Sequence, residues 1–566
     1  MASLPCFPPY IFVALGILDH LHHEHVLKSC FFYDGCKLEV GALTWFVSIW
    51  TWLVSVMADE RTHLVPVGVS EELEVDRERW RRAHGEADSE DDPEWSLEKM
   101  LEYVSKRTAW FHQVLFVLCV SAWLSDGMQP ILASFLLLQL RDGWKLDEQQ
   151  GAMIGSALFL GMLLGSTVWG IYADRKGRKA TLYITVTIHT ICSLCMSFTN
   201  SIGSLLFWQA LVGFGVGGNL PVVYSYYVEF SAKEGRGFHL AMLASAWSVG
   251  EVFAAGISWM FMSSLGWRYV VRFTVIPGLL TYVLLPYLPE TPHFLLVSGK
   301  KEEAFAVVKK MAAFNGLSLP LSLEGLKPLP AEVTREKGSV KELLSSPLMR
   351  QLTLLLWVMW FLGSVGLYGV IIFLPSYFQS KGISLFGGVY GAVFFSTLGN
   401  IPGIIAAAWI LEQEWCGRKG AIAAFAIMCA FCTILMSGVS GSVSLLITVT
   451  LAKFFVYGMW AAMDAYTPEA YPTTLRSTGN ASASAMSRLA GLLTPPVDVS
   501  LIKVDFNLAL IVWAISFAVV GMCAWNLPIE TQGNDLKDRV KDEEVEDENM
   551  QFFERHSSAY SGPGSY

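Results

Sequence analysis

Gly170-Ile-Tyr-Ala-Asp-Arg-Lys-Gly-Arg-Lys179 ends one long apolar run and opens the next. Gly177 permits a tight turn between two helices, and Asp174 can accept hydrogen bonds from an Arg or a helix N-terminus. Arg175, Arg178 and Lys179 hold such a loop on the cytoplasmic side of a membrane. The stretch is echoed 240 residues on. Gly177-Arg178-Lys179 recurs as Gly417-Arg418-Lys419, Tyr226 and Glu229 as Tyr466 and Glu469, Arg236 as Arg476, and Glu290 as Glu530. Charged landmarks repeated at one spacing indicate two duplicated halves, a recurring transporter plan.

Twelve apolar segments surround these landmarks, at roughly 110–138, 151–173, 180–199, 203–228, 239–263, 269–287, 350–378, 386–411, 420–438, 443–465, 480–502 and 507–526. Most approach the ~20 residues a helix needs to cross ~30 Å of hydrocarbon. Lipid offers backbone N–H groups no partner, and unalternating runs of this length select helices over a barrel. The expected fold is an all-α membrane protein of twelve transmembrane helices in two six-helix halves. Composition agrees: of 566 residues, 53% are hydrophobic and 16% charged, against about 25% charged in soluble domains. Twenty Trp and 34 Phe exclude a disordered or nucleic-acid-binding chain and argue against a soluble enzyme.

The formal charge of −10 belongs elsewhere. Residues 59–107 carry 15 acids and 8 bases and residues 530–566 carry 10 and 4, so the remainder is slightly basic. If the N-terminal side of segment 1 is cytoplasmic, the inside loops hold 17 Lys and Arg and the outside loops 6, which places both ends of the body in the cytoplasm. The chain divides into an N-terminal extension (1–58), a charged linker (59–108), a six-helix half (109–288), a cytoplasmic loop (289–347), a second half (348–529) and an acidic tail (530–566). Within the extension, residues 41–58 either span once or lie in the interface. His20, His22, His23 and His25 with Cys30 and Cys36 match no standard ligand spacing and read as a solvated loop.

Two E-x6-R stretches, Glu229 to Arg236 and Glu469 to Arg476, place a carboxylate at the end of an even-numbered segment and a guanidinium just beyond. With Asp174, Arg178 and Arg418 they are expected to form a breakable ring of ion pairs between the halves, a cytoplasmic gate. The alternative is a set of solvated end-caps worth ~0–1 kcal/mol each.

The Gly170–Lys179 stretch resembles the helix 2–3 signature of the major facilitator superfamily, G-x-x-x-D-R-x-G-R-[RK]. Pro289-Glu-Thr-Pro-His-Phe-Leu-Leu296, Tyr466-Thr-Pro-Glu-Ala-Tyr-Pro-Thr-Thr-Leu-Arg-Ser-Thr-Gly479 and Pro528-Ile-Glu-Thr-Gln-Gly533 resemble its sugar-porter and organic-ion branch. Tyr466-Thr-Pro-Glu469, Gly213-Phe-Gly-Val-Gly-Gly-Asn-Leu-Pro-Val222 and Trp123-Leu-Ser-Asp-Gly-Met128 are most similar to the synaptic-vesicle-related subgroup, which includes nicotinate-type carriers. The resemblance covers about 110–533 and implies alternating access. Segment 7 lacks the Gln-Gln pair with which sugar porters hold hydroxyls, Gln209 stands where an Arg is common, and His293 replaces the Arg after Pro-Glu-Ser/Thr-Pro.

Ionisable residues deep in a membrane helix default to function. Asp126, in segment 1 beside Gly127 and four residues before Pro130, is expected where the helix is locally broken, facing a cavity. Glu251, Lys453 and Arg488 complete the cavity charges, with Trp360 and Tyr368 as aromatic contacts; the resemblance assigns Lys453 and Arg488 to basic positions of the subgroup. As packing devices, Glu251 would neutralise Lys453, or Asp126 would pair with Arg488. Cys192-x-x-Cys195 and Cys429-x-x-Cys432 fall on apolar segments and read as small buried side chains, and the Gly213 and Gly217 spacing as close helix approach.

A secondary transporter of a small organic solute follows, with substrate bound near the midplane and a coupling proton on Asp126 or Glu251. An organic ion or aromatic carboxylate comes first, a sugar second. The rivals are a non-transporting receptor or scaffold and, behind it, a membrane enzyme. No catalytic residue, metal or cofactor is expected, partners are substrate and lipid with no nucleic acid, and the chain is expected to be a monomer.

Overall fold

A computed structural model describes residues 96–105, 110–231, 236–317, 326, 339–383, 385–413, 415–472 and 475–532. The expectations for the extension, most of the linker and the acidic tail therefore lie outside the described residues. Twelve long helical spans occupy the positions of the twelve apolar segments: α1 (Trp110–Gly143), α2 (Glu148–Lys176), α3 (Arg178–Met196), α4 (Ile202–Phe230), α5 (Arg236–Phe261), α6 (Trp267–Thr274 and Ile276–Leu284), α7 (Pro347–Ser380), α8 (Val389–Thr397 and Asn400–Leu411), α9 (Gly417–Gly438), α10 (Ser442–Ala470), α11 (Arg476–Ile502) and α12 (Phe506–Trp525). Ten are long and apolar enough to cross a membrane by that measure alone; α5 and α11 are the two outside that set.

The packing repeats as the sequence does. In the first half α1 lies on α5 and α4 on both α2 and α3; in the second α7 lies on α11 and α10 on both α8 and α9. Small residues permit the closest approaches. A Cβ at Gly213 would stand 2.0 Å from the Leu158 carbonyl oxygen, and one at Gly217 2.1 Å from that of Met162, so α4 rests directly on the α2 backbone. Between α1 and α5, Gly127 meets Trp247 and Gly250 meets Leu124 in the same way.

The halves meet along α2 with α11, α1 with α7 and α5 with α8. Hydrogen bonds across this seam gather at the end of the bundle remote from the Gly170–Lys179 loop. Arg141 donates to Gln379 (2.9 Å), Gln149 to Ser500 (3.3 Å), Tyr390 to Gln139 (2.9 Å) and Trp259 to the Phe386 carbonyl (2.8 Å). At the signature end, helix Leu97–Ser105 buries Leu97, Met100, Leu101 and Val104 and packs on helix Lys301–Phe314. Asn315 fastens the two, donating to the Val104 carbonyl and accepting from the Phe111 N–H.

Candidate transport site

Each half closes its signature end with the same staple. Gly177 (φ 102°) and Gly417 (φ 67°) both turn through the left-handed region, where a side chain would strain the backbone. The vacated space is filled by a carboxylate: Glu290 accepts from the Arg178 and Lys179 N–H groups (both 3.0 Å), and Glu530 from those of Arg418 (2.9 Å) and Lys419 (3.2 Å). These are anions at the N-termini of α3 and α9, where partial positive charge and orphan donors coincide. The guanidinium of Arg178 then reaches Glu229 (2.8 Å) and that of Arg418 reaches Glu469 (3.1 Å). Tyr226 donates to the Pro289 carbonyl and Tyr466 to that of Ile529, both at 2.7 Å.

The expected ring between the halves is thereby corrected. These ion pairs lie within a half, because the α4 and α10 carboxylates are nearer to the loop of their own repeat than to the other bundle. Asp174 is 43% exposed and lies 3.6 Å from Arg178, whereas Glu290 caps α3. Arg175 is exposed, Lys179 donates to the Pro286 carbonyl, and a Cβ at Gly170 would meet nothing within 4 Å. Nε and Nη2 of Arg476 have no hydrogen-bond partner, so Glu469 pairs with Arg418 instead; the Arg236 side chain lies outside the described set.

Asp126 is fully buried, yet α1 runs unbroken through Pro130, which corrects the expected break. Proline removes one helical donor, the N–H that would reach the Asp126 carbonyl, and leaves the helix continuous. The Asp126 carboxylate accepts from Asn219 (2.7 Å) on α4 and lies 3.1 Å from Nδ1 of His189 on α3. The pairing with Arg488 is not formed. Arg488 donates to the carbonyl and hydroxyl of Ser484, and its Nε has no partner.

Glu251, on α5, accepts from Trp247 (3.1 Å) and, across the seam, from Asn400 of α8 (3.1 Å). Lys453 on α10 is also buried and donates to Thr397 (2.7 Å), so Glu251 and Lys453 act on each other through space without a direct salt bridge. The Tyr457 hydroxyl lies near the same carboxylate and meets no aligned partner. Tyr368 packs on Phe159 of the other half with ring centroids 4.2 Å apart, while Ser487 bridges towards α7 by accepting from Ser364 (2.7 Å). Trp360 donates to Thr467 and stands edge-on to Trp460.

Sequence reasoning missed several members of this polar centre. Asp464 lies within the α10 span, and its charge acts on Arg488. The rule that flags intramembrane charges would have found it, along with Asp498, which accepts from Trp513 (3.0 Å). His189, Asn219, Thr397 and Asn400 carry no such signal. No group of metal ligands is present among the described residues.

A family model described as sugar (and other) transporter matches residues 105–538. The chain belongs to that family. It is a major facilitator superfamily transporter, as its duplicated staples and twelve-helix body imply. The synaptic vesicle 2-related protein of Bos taurus is 30% identical over 447 residues, covering 76% of this chain and 80% of that one. The niacin transporter NiaP of Acinetobacter baylyi is 28% identical over 429 residues, covering 75% and 96%. Among solved structures, the xylose transporter XylE from E. coli in a partially occluded inward open conformation superposes with a TM-score of 0.61 at 17% identity, covering 75% of this chain and 99% of that one. At that identity the likeness is one of fold.

Proposed function

We propose that this transporter carries a small organic ion, of the aromatic-carboxylate kind, by alternating access coupled to a proton. Support comes above all from the polar groups buried where the halves meet: Glu251 accepts from Asn400 across the seam, and Lys453, held by Thr397 within the second half, acts on Glu251 through space. Burying these groups away from water is costly, and a cost retained at the junction of two moving bodies fits a substrate or coupling site. Arg488, with a free Nε, supplies a cation for a carboxylate, and Trp360, Trp460 and Tyr368 supply rings for an aromatic plane. The relative named a niacin transporter accords with that class.

In this reading the signature end is cytoplasmic. The seam at the opposite end is closed in the state described, so substrate would exchange on the cytoplasmic side. The staples keep each half rigid while the halves rock about the central seam. A proton held by Asp126 or Glu251 would drive the cycle.

The test is uptake of radiolabelled nicotinate by proteoliposomes, with a parallel thermal-shift screen against sugars, organic cations and aromatic acids. Uptake should rise with an inward proton gradient, and Asp126→Asn should remove that rise. Gradient-independent uptake, unchanged in Asp126→Asn, rejects the coupling. Stabilisation by a sugar alone restores the sugar reading, and stabilisation by nothing favours a scaffold.

A further inference from the structure

The titratable partner of Asp126 does not come from α4. Both polar atoms of Gln209, where the family commonly has an Arg, are buried without a partner. The neighbouring titratable group is His189 of α3, 2% exposed, with Nδ1 3.1 Å from Asp126 Oδ1 and Nε2 3.0 Å from Nε2 of Gln129. Its backbone is fixed from behind: a Cβ at Gly215 of α4 would stand 2.8 Å from the Thr185 carbonyl oxygen and 2.9 Å from the His189 backbone nitrogen.

We propose that His189 and Asp126 hold the coupling proton jointly, the ring being its principal seat, and that Gln129 turns to match. In the neutral tautomer protonated on Nδ1, that nitrogen faces Asp126 at 3.1 Å and Nε2 accepts from the Gln129 amide, 3.0 Å away. When Nε2 gains a proton it becomes a donor, and Gln129 must present Oε1, an atom buried here without any partner. One side-chain amide thus serves both states. With the proton aboard, the pair is neutral overall whether it is written as carboxylate and imidazolium or as acid and imidazole. Without it, a single carboxylate is left to Asn219. An arginine, permanently charged, would not leave and return in this way.

Among the described residues, the helices packed around the pair bring no competing charge. Helix α1 adds Ser125, Gln129 and Cys119, α3 adds Thr190 and Ser193, and α4 adds Gln209 and Asn219. Glu251 of α5 is turned to Asn400 in the other half, and Arg272 of α6 reaches Ser197 instead.

This inference rests on Asp126 carrying the coupling proton, and its test needs no substrate, so an error in the substrate class leaves it standing. Full-length protein labelled with 15N-histidine is titrated in detergent, His189→Gln identifying the His189 signals among eleven histidines. The wild-type His189 signals should pass from neutral to imidazolium as the pH falls within the folded range, and in Asp126→Asn they should stay neutral. Infrared difference spectra of His189→Gln at neutral pH should show a protonated-carboxyl band that the wild type lacks and that Asp126→Asn in the same background removes. A His189 ring that stays neutral in the wild type, or titrates identically in Asp126→Asn, overturns the proposal. If His189→Gln does not fold, the absence of any histidine signal that responds to Asp126→Asn overturns it equally.

Discussion

Replacing Gly213 by Ala should be among the most damaging single-methyl changes in the molecule, whereas Gly170→Ala should be harmless. At Gly213 the added Cβ would lie 2.0 Å from the Leu158 carbonyl oxygen. Ordinary C···O contacts begin at about 3.3 Å, so α2 and α4 would have to part by roughly 1.3 Å. Sliding along the axis gives no relief, because the interface is locked at three more points: Gly161 against Ala210, Gly165 against Phe214 and Gly217 against Met162, at 2.0, 2.2 and 2.1 Å. Overpacking of a well-fitted contact costs about 1–3 kcal/mol, and the absence of slack places this substitution at the upper end. At Gly170 nothing lies within 4 Å of the added methyl. A helical Gly→Ala change there should gain about 0.5–1 kcal/mol through the lost freedom of the unfolded chain. Reversible unfolding in mixed micelles by titration with dodecyl sulfate, followed by Trp fluorescence, reports both. Equal stability of Gly213→Ala and wild type, or a loss at Gly170 as large as at Gly213, would refute the reasoning.

Three further outcomes are expected. Glu290→Ala and Glu530→Ala should each cost about 1–3 kcal/mol, since each strips a charged acceptor from two loop N–H groups; markedly unequal losses in the same unfolding titration would break the equivalence of the two staples. Cysteines at 149 and 500, whose present side chains meet at 3.3 Å, should crosslink on oxidation, abolish uptake and recover it on reduction, whereas full uptake by crosslinked protein excludes opening of that end. The Cys416 thiol is held above its ordinary range by burial and then by Glu530; Glu530→Gln should lower it, raising the thiolate fraction at mildly alkaline pH, and site-resolved mass spectrometry should find Cys416 alkylated several-fold faster.

Hydropathy displayed the spans and the 240-residue echo displayed the halves, because both are properties of composition along one dimension. The staples were half visible. Gly177, Arg178 and Glu229 stood out as a motif, but Glu290, which caps α3, showed only as an echo of Glu530, because its partners lie more than 100 residues away. The inter-half ring was misread for the same reason: spacing gives the depth of Glu229 and Glu469 and not the direction in which they face. In the polar centre, charge alone marked Asp126, Glu251 and Lys453. Their partners His189, Asn219, Asn400 and Thr397 are uncharged or weakly marked residues on helices apolar all round, where periodicity assigns no face.

What the duplication leaves unrepeated bears on mechanism as much as what it repeats. The staples recur residue for residue, and a fixed offset of 240 also relates α4 to α10 and α5 to α11 along their whole described lengths. At that offset the ionisable residues of the centre have no acidic or basic counterpart. Glu251 corresponds to Gly491, Lys453 to Gly213, Arg488 to Ser248, Asp464 to Tyr224, and His189 to Cys429. Two of those counterparts are glycines used for packing: Gly491 receives the Phe159 ring and Gly213 the α2 backbone. The ends of the halves therefore kept a common structural requirement, while the centres diverged so that Asp126, Glu251 and the His189 imidazole stand in one half and Lys453, Arg488 and Asp464 in the other. In the proposed cycle, an ion bound on one half and a proton on the other would both be carried when the halves move relative to each other, and neither half alone would hold the set of charges that such a cycle needs.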